Sequence, residues 1–130
     1  AEDFLVVAGS STENGLPDVA VVYRWTGLEF TFVQELATQG GYRCHAFRAG
    51  ESQFLALPDA WDGRSSVLDT NIYQWQGDEF VLHQSLVTEG AGGLDTVEMS
   101  GELYLAIASL TLALSHLPSS ASAFSATTAM

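Results

Sequence analysis

Lysine is absent from this sequence, and four arginines stand against sixteen acidic residues, a formal net charge of −12. Binding to a phosphate backbone depends on Lys and Arg neutralising phosphates, so this balance argues against nucleic acid as a partner. An anionic membrane face is disfavoured for the same reason. Acidity of this degree serves solubility first, or meets a basic protein surface or loosely held cations. Cysteine is nearly absent too: the single Cys44 excludes an intrachain disulfide and sits in a segment with strand character, where a buried thiol is the ordinary case. No hydrophobic run is long enough for a membrane span. The longest, Leu103 to Leu114, has 12 residues and contains Ser109 and Thr111, where a span needs about 20. The chain opens on Ala1, Glu2 and Asp3, acidic where a secretion signal would be basic, so targeting is expected to lie outside this chain or to be lacking.

The residues of catalysis and metal binding are present but scattered. His45, His83 and His116 lack a second His or Cys at metal-ligand spacing, and the neighbours Cys44 and His45 point to opposite faces of a strand. No Gly-x-Ser-x-Gly elbow occurs, and Asp59-Ala60-Trp61-Asp62-Gly63 lacks the ligand spacing of a calcium loop. The expectation is a chain that is not an enzyme, with no cofactor and no metal.

What the sequence does have is a repeat. At an offset of 50, Tyr23 falls on Tyr73, Trp25 on Trp75, Gly27 on Gly77, Glu29 on Glu79 and Phe30 on Phe80. Gln34 then falls on Gln84, Leu36 on Leu86, Thr38 on Thr88 and Gly40 on Gly90. Phe4-Leu5-Val6-Val7-Ala8 likewise maps onto Phe54-Leu55-Ala56-Leu57-Pro58 and onto Tyr104-Leu105-Ala106-Ile107-Ala108. A fixed period of this size marks a propeller or solenoid.

Alternation with period two, as in Phe30, Phe32, Gln34 and Leu36 against Thr31, Val33 and Glu35, predicts half-buried strands, and no segment argues as well for a helix. The middle copy is expected to hold strands near 54–58, 70–76 and 79–86, completed by 94–99 in the manner of 44–49. Gly27 and Gly77 supply the positive φ of short hairpin turns. Four antiparallel strands per fifty residues describe a propeller blade. The fold class expected is all-β, a partial β-propeller of about two and a half blades. Its units are 1–47, a partial blade with the start of the next; 48–98, a whole repeat; 99–108, the start of a third; and 109–130, a divergent tail without expected order.

Val22-Tyr23-Arg24-Trp25-Thr26-Gly27, Ile72-Tyr73-Gln74-Trp75-Gln76-Gly77, Phe54-Leu55-Ala56-Leu57 and Gln84-Ser85-Leu86-Val87-Thr88-Glu89-Gly90 resemble the epilepsy-associated repeat, EAR or EPTP. The resemblance runs from residue 3 to about 108. It implies blades of a seven-bladed propeller in secreted or cell-surface proteins, such as the leucine-rich glioma-inactivated proteins, that bind a receptor or matrix protein. A propeller-based enzyme or carbohydrate-binding module is the alternative, because fold alone does not exclude it.

Residues recurring in every copy are expected to build each blade. Tyr23, Tyr73, Trp25 and Trp75 should pack blade on blade. Gln34 and Gln84, placed by alternation on the face of Phe30 or Phe80 and of Leu36 or Leu86, should bond backbone groups of an adjacent strand or blade. Loops diverge where the framework repeats, and specificity usually resides on loops. Trp61 and Arg64, in the connection from Asp59 to Asp69, are the expected partner contacts, being residue types enriched at binding hot spots. Family resemblance also places Asp95 at the start of an innermost strand facing the channel, but its counterpart is His45, so no metal is assigned. Two and a half blades leave bare faces and open edges, and the expected complement is further blades in cis or an oligomer.

Overall fold

The computed structural model describes residues 2–9, 18–39, 43–59, 67–89, 93–109, 114–115 and 121–127. Every described element is a strand: β1 Phe4–Ala8, β2 Asp18–Trp25, β3 Phe30–Thr38, β4 His45–Ala49, β5 Ser52–Pro58, β6 Val67–Trp75, β7 Phe80–Glu89, β8 Gly93–Met99, β9 Glu102–Ser109, β10 Leu114–Ser115 and β11 Ala121–Thr127. They form three sheets ordered β1-β2-β3, β4-β5-β6-β7 and β10-β11-β9-β8. The fold is all-β. The middle sheet is a four-stranded antiparallel meander whose adjacent strands pair in chain order.

The period of fifty is reproduced in the backbone as well as in side chains. Each copy closes its Trp-to-Phe hairpin with the same bond, Thr26 N to Glu29 O and Gln76 N to Glu79 O, both 2.9 Å. Gly27 and Gly77 sit in those turns at φ 99° and 100°, a region that a Cβ would strain. Both copies also carry a bulge at the same point, between Val22 and Tyr23 and between Ile72 and Tyr73.

That bulge corrects the expected facing of the third strand in each copy. Strict alternation puts Phe30, Phe32, Gln34 and Leu36 on one side. In the structure Tyr23 pairs with Phe32 and Val22 with Gln34, leaving Val33 as the extra residue. An extra residue flips every side chain beyond it to the other face. Phe80 therefore joins the core between the first two sheets, while Leu86 of the same strand joins the core between the second and third.

A second correction concerns the innermost strand of the middle copy. Segment 93–99 pairs with β9 in the third sheet, and it is β4 that completes the second sheet through β5. A two-residue turn keeps each innermost strand beside the strand that follows it: β4 reaches β5 through Gly50 and Glu51, and β8 reaches β9 through Ser100 and Gly101. Gly50, Ser100 and Gly101 all have positive φ, as tight hairpins require. Within 109–130, expected to be without order, backbone pairing is present at β10 and β11. β11 runs parallel to β9, where the middle sheet has an antiparallel neighbour in the same place.

The three sheets pack face on face, the second between the others. Ala20, Val22 and Leu36 of the first sheet meet Leu55, Leu57 and Phe80 of the second. Phe54, Ala56, Ile72 and Leu86 on the reverse side of the second meet Leu105 and Ile107 of the third. Both junctions use the same pair of faces, shifted by one repeat.

Candidate protein-interaction surface

At the first junction the side-chain amide of Gln34 lies against the main chain of Phe80. Gln34 Nε2 donates to the Phe80 carbonyl at 3.2 Å, and the Phe80 N–H donates to Gln34 Oε1 at 2.6 Å. The expectation that Gln34 binds backbone of a neighbouring blade is met by both ends of one amide. The bulge makes this possible, because it turns Gln34 toward the second sheet.

Further polar contacts cross the same junction. The Gln39 N–H donates to Asp59 Oδ1 at 2.8 Å, and Gln53 Nε2 donates to the Glu2 carbonyl at 2.7 Å. Glu2 also meets Arg24 at 3.2 Å, with both side chains about two-fifths exposed, so that pair holds position more than it stabilises.

Trp75 is clasped between sheets. Its ring lies 4.6 Å from Phe4 of the first sheet and 5.1 Å from Phe80 of its own. Trp25 reproduces the second contact, 4.9 Å from Phe30 at nearly the same tilt. The two tryptophans thus share hairpin geometry, and among the described residues Trp75 alone has a neighbouring sheet over it.

The comparison extends to the whole face. Leu55, Leu57 and Phe80 are 1, 2 and 5% exposed beneath the first sheet, whereas their counterparts Leu5, Val7 and Phe30 are 43, 49 and 48% exposed. Phe32 and Trp25 lie exposed on the same side. These side chains are about half buried already, so packing the rest away would be worth on the order of 1 kcal/mol each. Among the described residues, no sheet covers this face of the first sheet as the first sheet covers its counterpart on the second.

Trp61 and Arg64, the contacts expected from sequence, lie outside the described residues. Asp95 accepts from the N–H of Thr96 at 2.8 Å, and His45 Nε2 lies 3.3 Å from Thr96 Oγ1 across the second junction. Among the described residues no three of His, Cys, Asp or Glu converge as a metal site would need. Burial pushes the half-buried Cys44 thiol and Tyr73 phenol above their ordinary pKa values, because both charged forms lose hydration. The Trp25 face was not singled out by sequence as a contact. The signal for it was present in the pairing of Leu5 and Val7 with Leu55 and Leu57, but which member is covered depends on packing.

Compared with known proteins, residues 29–76 match the family model of the EPTP domain. Neither the curated proteins nor the solved structures compared with the chain give a match. The matched segment runs from the turn before β3 through β6, so one family unit takes its first strand from one sheet and the next three from the following sheet. The segment from 29 to 76 is thus similar to an EPTP domain, which supports the resemblance of the fifty-residue repeat to the EAR/EPTP family.

Proposed function

We propose that this chain is a non-enzymatic protein-binding scaffold, part of an extracellular EAR-repeat propeller that works at the cell surface or in the matrix. The observation that carries the reading is the match of residues 29–76 to the EPTP domain, and the exposed Leu5, Val7, Trp25 and Phe30 of the first sheet are where a contact is tested. The secreted location and the receptor or matrix partner follow from the family resemblance.

The test is saturable binding of labelled chain to intact cells and to deposited matrix. Binding should vanish after protease treatment of the cells, and Phe30→Glu should weaken it at least tenfold while leaving the circular dichroism spectrum unchanged. Absence of saturable binding, or binding indifferent to Phe30→Glu, would overturn the reading.

A further inference from the structure

β7, the outer strand of the second sheet, is covered at one end and open beyond it. Phe80 at its start is buried beneath the first sheet and bonded to Gln34. Leu82 stands opposite Tyr73, and Val87 opposite Asp69. Tyr73 packs toward the first sheet, while Leu86, next to Val87, packs toward the third. Leu82 and Val87 therefore lie on the side that the first sheet covers, since neighbours in a strand alternate. They are nevertheless 54 and 61% exposed with that sheet in place. Phe32, the counterpart of Leu82, is 60% exposed, so an apolar side chain standing in water at this position recurs in both copies.

The strand edge beside them is open in both copies as well. Among the described strands β7 pairs with β6 alone and β3 with β2 alone, which leaves each outer strand with main-chain donors and acceptors directed away from its sheet. Charge specifies what fits along β7. β6 and β7 carry Asp69 and Glu89 but no Lys or Arg. Asp69 is exposed opposite Val87, and Glu89 follows Val87 by two residues on the same side. An added strand with aliphatic side chains beside Leu82 and Val87 and cations beside the carboxylates complements this side of the sheet. A second copy of β7 is a poor occupant, because it brings another Glu89 and no cation. Strand addition takes affinity from main-chain bonds and specificity from alternate side chains.

We infer that the outer edge of β7 accepts an extended, basic and aliphatic segment of a protein partner as a fifth strand of the second sheet. The inference rests on the protein-binding role proposed above and gives it a recognition mode at a place apart from the Trp25 face. The probe is a fluorescent peptide, Lys-Thr-Val-Thr-Lys-Thr-Leu, titrated into the full chain. Running antiparallel and passing the bulge, it sets its first Lys opposite Glu89, Val opposite Val87 and Leu opposite Leu82. Saturable binding is expected, and none for the same peptide with Glu in place of both Lys. Leu82→Ser and Val87→Ser, which leave the charge unchanged, should each weaken binding at least tenfold without moving the urea midpoint. Asp69→Asn should also weaken it, whereas Glu29→Gln, in the β2–β3 turn, should not. Amide exchange should slow within Phe80–Glu89. No binding at millimolar peptide, indifference to Leu82→Ser, equal effects of Asp69→Asn and Glu29→Gln, or protection confined to other strands would overturn the inference. So would a dimer of the chain that the peptide disperses, because the occupant would then be a second copy. Phe30→Glu should leave peptide affinity unchanged, so loss of cell binding and loss of peptide binding are read separately.

Discussion

The amide of Gln34 and the main chain of Phe80, 46 residues apart, exchange two hydrogen bonds across a sheet-to-sheet junction. A side-chain amide here does what a neighbouring strand does in a ladder, offering one donor and one acceptor. It fixes the register of the first sheet on the second, since sliding either sheet by one residue would break both bonds. Apolar packing of Val22 and Leu36 on Leu55 and Leu57 is less directional, so it supplies adhesion and the amide supplies position.

Gln34→Ala should cost about 1–3 kcal/mol, because a partly buried N–H and carbonyl of Phe80 lose their partners. Gln34→Glu should cost as much or more near neutral pH, since the carboxylate keeps an acceptor and loses the donor. Urea denaturation followed by tryptophan fluorescence measures both. Equal stability of all three proteins would show that the contact does not hold the sheets.

The tryptophans should differ despite their identical local turns. Trp75→Ala removes a ring packed on Phe4 and Phe80 and should cost about 3–5 kcal/mol. Trp25→Ala loses chiefly the Phe30 contact and should cost about 1 kcal/mol. The same denaturation experiment measures the ratio, and comparable losses would mean that the Trp25 face is covered in solution.

A hydroxyl comparison tests burial of polar groups. Thr70 and Thr88 are both buried and share a hydrogen bond of 2.9 Å between their Oγ1 atoms. In the first copy Ala20 stands at the position of Thr70, and the Oγ1 of Thr38, the counterpart of Thr88, is buried without a hydrogen-bond partner among the described residues. Thr38→Val should be neutral or stabilising by up to about 1 kcal/mol, whereas Thr88→Val should cost about 1–3 kcal/mol by stranding Thr70. Thermal melts of the two variants should move in different directions or by clearly different amounts.

Alkaline pH should loosen the fold. Cys44 and Tyr73 have folded pKa values raised by burial, so the folded state holds these protons more tightly than the unfolded chain does. Their contribution is intact below the unfolded pKa values and is lost as pH rises through the folded ones. Stability should therefore fall from about pH 8.5 upward, first through the thiol and then through the phenol. Cys44→Ala and Tyr73→Phe should each flatten the dependence, as read from urea midpoints between neutral and strongly alkaline pH. An unchanged slope in both variants would assign the loss to the growing net negative charge.

Strand content, hairpin position and the repeat itself were legible from the residues alone, because each has a local cause. Tyr-x-Trp-x-Gly places two aromatics on one face and then a residue able to take positive φ, and Gly27 and Gly77 adopt that conformation almost identically. The bulge was invisible to alternation. Val33 is one ordinary residue in a nine-residue strand, yet opposing it to no partner sends Phe30 and Gln34 to opposite faces. Its cause lies in the pairing of two strands, which a single segment does not encode in its own period.

Sequence alone determined that Leu5 and Leu55, or Trp25 and Trp75, are equivalent positions in successive sheets, since equivalence is a matter of local pattern. Tertiary structure decided that one of each pair is covered and the other exposed among the described residues, and that Gln34 reaches Phe80. Burial and cross-sheet hydrogen bonding depend on what lies on the other side of a sheet, and that neighbour is set by packing between segments far apart in the chain.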